Sequence, residues 1–408
     1  MNRCSYEKEF IHLQNELLNL KRMKNITSTP VSGDDFMFRD FEKKYCINSL
    51  KEGNCLLVLG IRRTGKSSLL KEVARIMNDD GYHIIEIDCQ DSNKPSELFL
   101  EILKALPAAS FQKLTAYLKT LKSLPKDIIE VLNIESIKGF GVDVRFDKKI
   151  RDYWMPISKS IEKILLNREE KIILFLDELP YFFENLTDPK NQGGYSEVEV
   201  KQILATLRSW RNEGIQMTLC GSLNISYFLS SKSISEKLLS GLNSIDINLF
   251  TDDEAKKLLK KLAKSRNITW ITDKIAAKVI ELVQDNVPFF IQTYFGFLSL
   301  EKECSLERLE EIFETKVYPS LIKNFLYQFD ERLENYSLKE RKQVDLILDY
   351  ISKYDKASFE DIRIKNKTLD LKVFHKLISD EFIKPTRAGN CSFTLNIVKS
   401  WWKEKRGL

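Results

Sequence analysis

The 408 residues, 43% hydrophobic and 30% charged, are too many for one compact core and too well balanced for long disorder, so two or three packed domains are expected. The longest apolar runs, at 56–59 and 172–176, fall far short of the roughly 20 residues that span a bilayer. The first ten residues carry Glu7, Lys8 and Glu9 without a secretory pattern, so a cytoplasmic chain with no membrane contact is expected.

Seven scattered cysteines and three distant histidines supply neither zinc spacing, a disulfide framework nor a triad; the cysteines read as reduced and mostly buried. A net charge of +5 permits nucleic-acid binding without requiring it.

Along the chain, Phe10, Leu13, Leu17 and Leu20 form one stripe of a helix over 6–24, and a polar linker follows over 25–35. Then come a helix over 41–51, a buried strand at 55–59, a helix after Gly65 and a strand at 83–88. Further strands are predicted at 171–176, 215–220 and 244–249, with helical segments between them. Short apolar strands alternating with helices predict an α/β domain, a doubly wound parallel sheet, over 33–250.

An insertion over about 100–155 interrupts it. Helical patterns flank and enter that segment at 96–105 and 111–121, and an alternating segment at 137–146 is expected as a strand or hairpin near the sheet edge. After Phe250 the pattern turns helical. Thr251-Asp252-Asp253-Glu254 reads as a cap and acidic first turn, and helices at 255–264, 275–283, 288–298 and 305–329 predict a helical lid domain over 251–332. Residues 333–408 read as helices at 338–354, 358–364 and 369–380, then two strands at 382–385 and 391–395 around a turn: a C-terminal winged helix.

Chemistry concentrates in Gly60-Ile61-Arg62-Arg63-Thr64-Gly65-Lys66-Ser67, a G-x-x-x-x-G-K-S loop between a strand and a helix. The glycines let successive N–H groups face phosphate oxygens, and the helix start adds its positive end. Lys66 is expected on the β and γ phosphates of ATP and Ser67 on Mg²⁺, with Ser68 a further nucleotide-binding candidate. Arg62 and Arg63 either attract the triphosphate or pair with lid carboxylates. The strand at 171–176 ends in Asp177-Glu178, where Asp177 can assist Mg²⁺ and Glu178 can orient or deprotonate the attacking water. A small-molecule kinase would not require that glutamate, so hydrolysis is favoured. After the next strand, Ser222 and Asn224 compete to sense the γ-phosphate, and Arg208 and Arg211 stand either as arginine fingers toward a neighbouring copy or as solvated residues.

With these residues in view, the chain resembles the archaeal-type ATPase family of the STAND branch of AAA+ related P-loop proteins. The likeness spans about 33–405, and the double-arginine loop is its most specific part. Phe36-Met37-Phe38-Arg39-Asp40-Phe41-Glu42 is similar to the family's F-x-x-R-x-x-E, with Phe38 where a small residue is usual. Cys220-Gly221-Ser222 is similar to its sensor strand, and Asp285-Asn286-Val287-Pro288-Phe289 to its G-x-P motif, with Asn286 in place of glycine. The tail through Trp401-Trp402 is similar to its winged helix. The resemblance implies that Phe36, Phe38 and Arg39 lie near adenine and ribose and that Pro288 packs near the nucleotide.

The function expected is an ATP-driven conformational switch whose output, through residues 333–408, is a protein partner or duplex DNA. Nucleotide-dependent self-association is a further expectation. In the DNA reading, Lys372, His375 and Lys376 lie on the recognition helix, with Lys384 and Arg387 in the wing.

Overall fold

The computed structural model describes residues 23–107, 154–167, 170–188, 194–222, 224–365, 367–386 and 389–408. Most of the N-terminal helix, the segments expected at 111–121 and 137–146, and Arg387 lie outside these residues.

After a single turn at Gly33–Asp35 the order is α1 (Asp40–Lys51), β1 (Cys55–Leu59), α2 (Lys66–Asp79), β2 (Tyr82–Asp88), α3 (Pro95–Lys104), α4 (Trp154–Leu166) and β3 (Lys171–Asp177). It continues through α5 (Leu179–Leu186), α6 (Glu197–Asn212), β4 (Gln216–Gly221), α7 (Ile225–Ser231) and β5 (Leu242–Asp246). The strands pair in the order β2-β3-β4-β1-β5, all parallel. Apolar side chains on both faces of β1 and β3 leave neither face for water, so helices cover both. One face meets α1 and α2 through Val58, Leu69, Val73 and Phe175; the other meets α3 to α7 through Phe99, Leu174, Phe182 and Trp210. The outer helices α3 and α4 lock together by stacking Phe99 on Trp154, with centroids 5.2 Å apart.

Strand β5 ends earlier than the apolar pattern predicts. Ile247 N–H donates to Leu59, and the chain then leaves the sheet for the lid. The lid comprises α8 (Asp252–Ser265), α9 (Asp273–Val283), α10 (Pro288–Leu298), α11 (Leu306–Ile312), α12 (Tyr318–Leu321) and α13 (Tyr327–Glu334), the last three joined by π turns at Phe313–Val317 and Ile322–Leu326. Thr251 caps α8 reciprocally with Glu254, as the spacing predicts.

Beyond it lie α14 (Leu338–Tyr354), β6 (Ala357–Ser358), α15 (Phe359–Lys365), α16 (Leu371–Ser379), β7 (Ile383–Pro385), β8 (Asn390–Phe393) and α17 (Asn396–Arg406). The strands form an antiparallel sheet in the order β6-β8-β7. Two elements were not expected: β6, too short for a period-2 signal, and α17, whose Ile397, Val398, Trp401 and Trp402 make a buried helical face. One apolar core runs from Phe250 through the lid to Trp402, so lid and C-terminal region pack as a continuous body.

Candidate nucleotide-binding site

Parallel strands bring the ends of β1, β2 and β3 to one edge, where loops can gather around a ligand. Gly60 permits the close crossing of β1 and β5 there, because a Cβ on it would sit 2.7 Å from the Ile247 carbonyl oxygen. We expect Gly60→Ala to cost about 1–3 kcal/mol in thermal unfolding, since the obstacle is backbone; an unchanged melting temperature would contradict this.

The loop then curls back on itself. Arg63 and Gly65 adopt left-handed backbone angles, φ 70° and 96°. The Ile61 carbonyl accepts from Thr64 Oγ1 at 2.7 Å and from Lys66 Nζ at 3.0 Å. Lys66 is only 3% exposed. A cavity of about 370 Å³ opens on this loop, lined by Arg62 to Ser68 and by Asp88, Asp177 and Glu178. Gly60 and Ile61 shape the loop from behind rather than line it.

The acidic side is built from two adjacent strands. Asp88 and Asp177 are register partners at the ends of β2 and β3, and Asp177 Oδ1 accepts from the Glu178 amide at 2.9 Å. Burial, with Asp177 and Glu178 adding like charge, pushes the Asp88 carboxyl up. Glu178 turns out of the strand in a left-handed conformation, φ 51°, at the start of α5. Its Oε2 accepts from Ser222 N at 3.1 Å and Ser222 Oγ at 2.9 Å. Gly221 makes that approach feasible, because a Cβ there would strike the Pro180 ring at 2.3 Å. Asn224 instead caps α7, accepting from Tyr227 N, so Ser222 alone of the two candidates reaches the acidic residues.

Other sequence candidates separate. Ser67 and Ser68 line the cavity, and Ser68 Oγ accepts from Val31 N at 3.1 Å. Arg39 is buried, donating to the carbonyls of Thr64 and Asn248 at 3.2 and 2.7 Å and to Glu42, with its guanidinium over Phe250. It therefore clasps the P-loop to the chain leaving β5 while also lining the cavity. Phe36 and Met37 reach the cavity wall, but Phe38 packs edge-on against Phe250 at 5.6 Å and is not part of that wall. Pro288 lines it at the first turn of α10. Asn286, standing where the motif has glycine, ties β5's exit to the lid: its carbonyl accepts from Phe250 N and its amide donates to Asp252.

Arg211 donates to the carbonyls of Leu238 and Ser240 and lies near Cys55, at the start of β1. That is the opposite end of the sheet from the P-loop, and Arg208 precedes Arg211 on the same helix.

Several contributors carried no sequence signal. Residues 26–31, expected only as linker, line the cavity as an arm; Arg63 donates to Thr27 O, and Asn25 donates to Gln292 O. More consequential is Glu381, at the junction of α16 and β7, whose Oε1 accepts from the Arg62 amide at 3.3 Å. Arg62 also reaches Gln328 of α13 at 3.3 Å. Arg332, on α13, donates to Glu381 Oε2 at 3.2 Å and to Asp380 O at 2.5 Å, and Tyr336 OH donates to Asp380 Oδ2 at 2.6 Å. Burial pushes the Glu381 carboxyl up, against the opposing pull of Arg332 and Lys66. Helix α16 meanwhile packs on α7, with His375 Nδ1 3.0 Å from Ser230 Oγ and its ring edge-on to Tyr227; Lys376 reaches Asn335 O.

A family model, novel STAND NTPase 6, matches residues 38–128. Among solved structures, the Walker-type ATPase of Pyrococcus abyssi superposes with a TM-score of 0.62 at 18% identity, covering 93% of this chain and 99% of that one. The ORC2 protein of Aeropyrum pernix, in its ADPNP and ADP complexes, gives 0.52 at 12% identity, covering 95% and 99%. No curated protein matches significantly. The P-loop between β1 and α2 and the five-stranded parallel sheet give this chain the fold of a P-loop NTPase, similar to that of the archaeal Walker-type ATPase, and residues 38–128 are similar to the novel STAND NTPase 6 family.

Proposed function

We propose that the chain binds and hydrolyses ATP with Mg²⁺ as a conformational switch whose output is the C-terminal region. Adenine nucleotide as the ligand draws support from the Aeropyrum pernix relative, which carries ADPNP and ADP. In this reading the P-loop amides and Lys66 hold the phosphates. Lys66 exchanges the single carbonyl of Ile61 for phosphate oxygens.

The hydroxyl of Ser67 and the carboxylate of Asp177, with Asp88 beside it, are all hard oxygen donors and fit Mg²⁺. That ion, when bound, supplies charge neutralisation at the phosphates. Glu178 is the general base: Ser222 anchors Oε2, which leaves Oε1 to take the proton of the attacking water. The N-terminal arm and the face of α10 bearing Pro288 enclose the base and sugar.

The single observation that carries the switch is the Glu381 carboxylate seated on the Arg62 amide, beside Lys66. A phosphate arriving there meets a like charge. At about 4 Å such a pair repels by roughly 1 kcal/mol in water and 4 at the effective dielectric of a protein surface. ATP, with one more phosphate than ADP, therefore favours displacement of Glu381, and with it the region that α16 and Arg332 hold against the ATPase body. Ser222 lies directly before α7, the helix on which α16 rests, so the Glu178 contact and the C-terminal contact share one short segment.

We expect Glu381→Gln, which keeps one acceptor oxygen at this position and removes the charge, to tighten ATP about tenfold while changing ADP less. Calorimetric titration with both nucleotides measures this. Equal changes, or weaker ATP, would sink the switch reading and leave simple hydrolysis.

Duplex DNA as the output is the second reading, through Lys372 and Lys384, which are exposed. In this arrangement His375 and Lys376 serve internal contacts, so that helix must leave α7 before it can enter a groove.

A further inference from the structure

The excess positive charge is not spread over the chain. Residues 333–408 hold 16 Lys and Arg against 11 Asp and Glu, and so account for the whole net charge of +5; residues 1–332 hold 48 of each. Two of those 11 acids, Asp380 and Glu381, are buried in the Arg332 cluster. The surface of the C-terminal region is correspondingly more basic than its sequence.

One part of that surface is shaped. A groove of about 860 Å³ runs along α14 beside α17 and the end of α15. Tyr350 and Tyr354, one helical turn apart, stand with centroids 4.6 Å apart and rings tilted by 40°. Lys365 Nζ lies 4.8 and 5.3 Å from the two centroids, and Lys353 Nζ 5.6 Å from that of Tyr354. Tyr354 is 49% exposed.

The acids of the groove are already engaged. Asp349 accepts from Arg406 and from Trp402 Nε1, and Asp345 pairs with Arg406 and Arg341. Among the described residues, no carboxylate lies within ion-pairing distance of Lys342, Lys353, Lys365 or Lys403, although Lys403 contributes to the field around Asp355, which pairs with Lys399.

We propose that this groove binds single-stranded nucleic acid, with bases stacking on the Tyr350–Tyr354 pair and the lysines following the phosphate backbone. Aromatic faces flanked by unpaired cations are what an unstacked strand requires; a duplex hides its base faces and would use only the charge. The site lies on α14, α15 and α17 and does not use α16, so it is independent of the recognition-helix reading and of ATP hydrolysis.

The test is fluorescence anisotropy on the full chain with a labelled oligonucleotide of about 16 nucleotides, single-stranded and as duplex, between about 50 and 200 mM salt. The expected result is a preference for the single strand of about tenfold or more. Tyr354→Ala should weaken it at least about fivefold, Tyr354→Phe should retain it, and Lys353→Glu with Lys365→Glu should weaken it more than tenfold and flatten its salt dependence. Lys372→Glu on α16 should leave it unchanged. Unchanged nucleotide affinity in each variant verifies folding. The proposal is overturned by no binding at low salt, by a preference for duplex, by full retention in Tyr354→Ala, or by a loss in Lys372→Glu equal to that of the groove variants.

Discussion

Lys66→Ala should lose nucleotide binding, and Glu178→Gln should keep binding and lose turnover. Lys66 is buried at the floor of the loop with Ile61 O as its hydrogen-bond acceptor, so its ammonium is available to compensate phosphate charge. Removing a charged hydrogen bond of this kind costs about 3 kcal/mol, or roughly a hundredfold in affinity. Glutamine at 178 is nearly isosteric and can still accept from the Ser222 amide and hydroxyl through its oxygen, so the site keeps its shape. It cannot take a proton, and a positioned general base is worth about 10²- to 10⁴-fold in rate. Titration calorimetry and phosphate release separate the two effects. Equal loss of binding in both variants would remove the assigned roles.

Arg332→Met should be the most destabilising of the substitutions considered. The guanidinium is buried between Glu381, the Asp380 carbonyl and the fields of Glu184 and Asp380, and it joins the lid to both the C-terminal region and α5. Methionine fills much of the volume but leaves carboxylates buried without their counter-charge, which costs about 3–5 kcal/mol. Burial, then Asp380, pushes the Glu184 carboxyl up to about 7, and burial raises Asp380 and Glu381 as well. Their folded pKa values exceed the unfolded ones, so the folded state takes up protons first and the ionised forms weigh on stability as pH rises. The deficit of Arg332→Met should therefore shrink as pH falls from 7 toward 5. Thermal melting across that range checks it, and a deficit that grew toward pH 5 would refute the charge argument.

The amino-acid order was most legible where one short segment carries both geometry and chemistry. The strand 55–59 and the loop that follows are contiguous, so their apolar run and glycine spacing announced the P-loop, and Asp177-Glu178 was legible for the same reason. The strands at 83–88 and 215–220 fall within a residue of β2 and β4: β4 is buried along most of its length, and β2, at the sheet edge, sets buried isoleucines among exposed His83, Glu86 and Asp88. The pattern failed at β5, where Ile247 still packs in the sheet core but Leu249 and Phe250 serve the lid core instead. Phe38 was drawn into the nucleotide wall by its motif, yet Phe250, 212 positions away, offers it an apolar partner first.

Residues 25–35 look like a linker because polar residues, a proline and serines have no periodicity of their own. Their order comes from Ser68, Arg63 and Gln292, which only the fold brings near. Glu381 is the sharpest case, since one glutamate at a helix end is unremarkable until α16 rests on α7 and delivers it to Arg62, 319 positions away. What the linear order determined by itself was therefore the local framework: a glycine-spaced loop between strand and helix, an acidic strand end and the succession of an α/β region and a helical one. What only the tertiary structure decided was which distant groups share that framework, the Ser222 anchor, the N-terminal arm and the Glu381 seat. Spacing reports contacts within a few turns of chain, whereas contacts across hundreds of residues are selected by how the shared core packs.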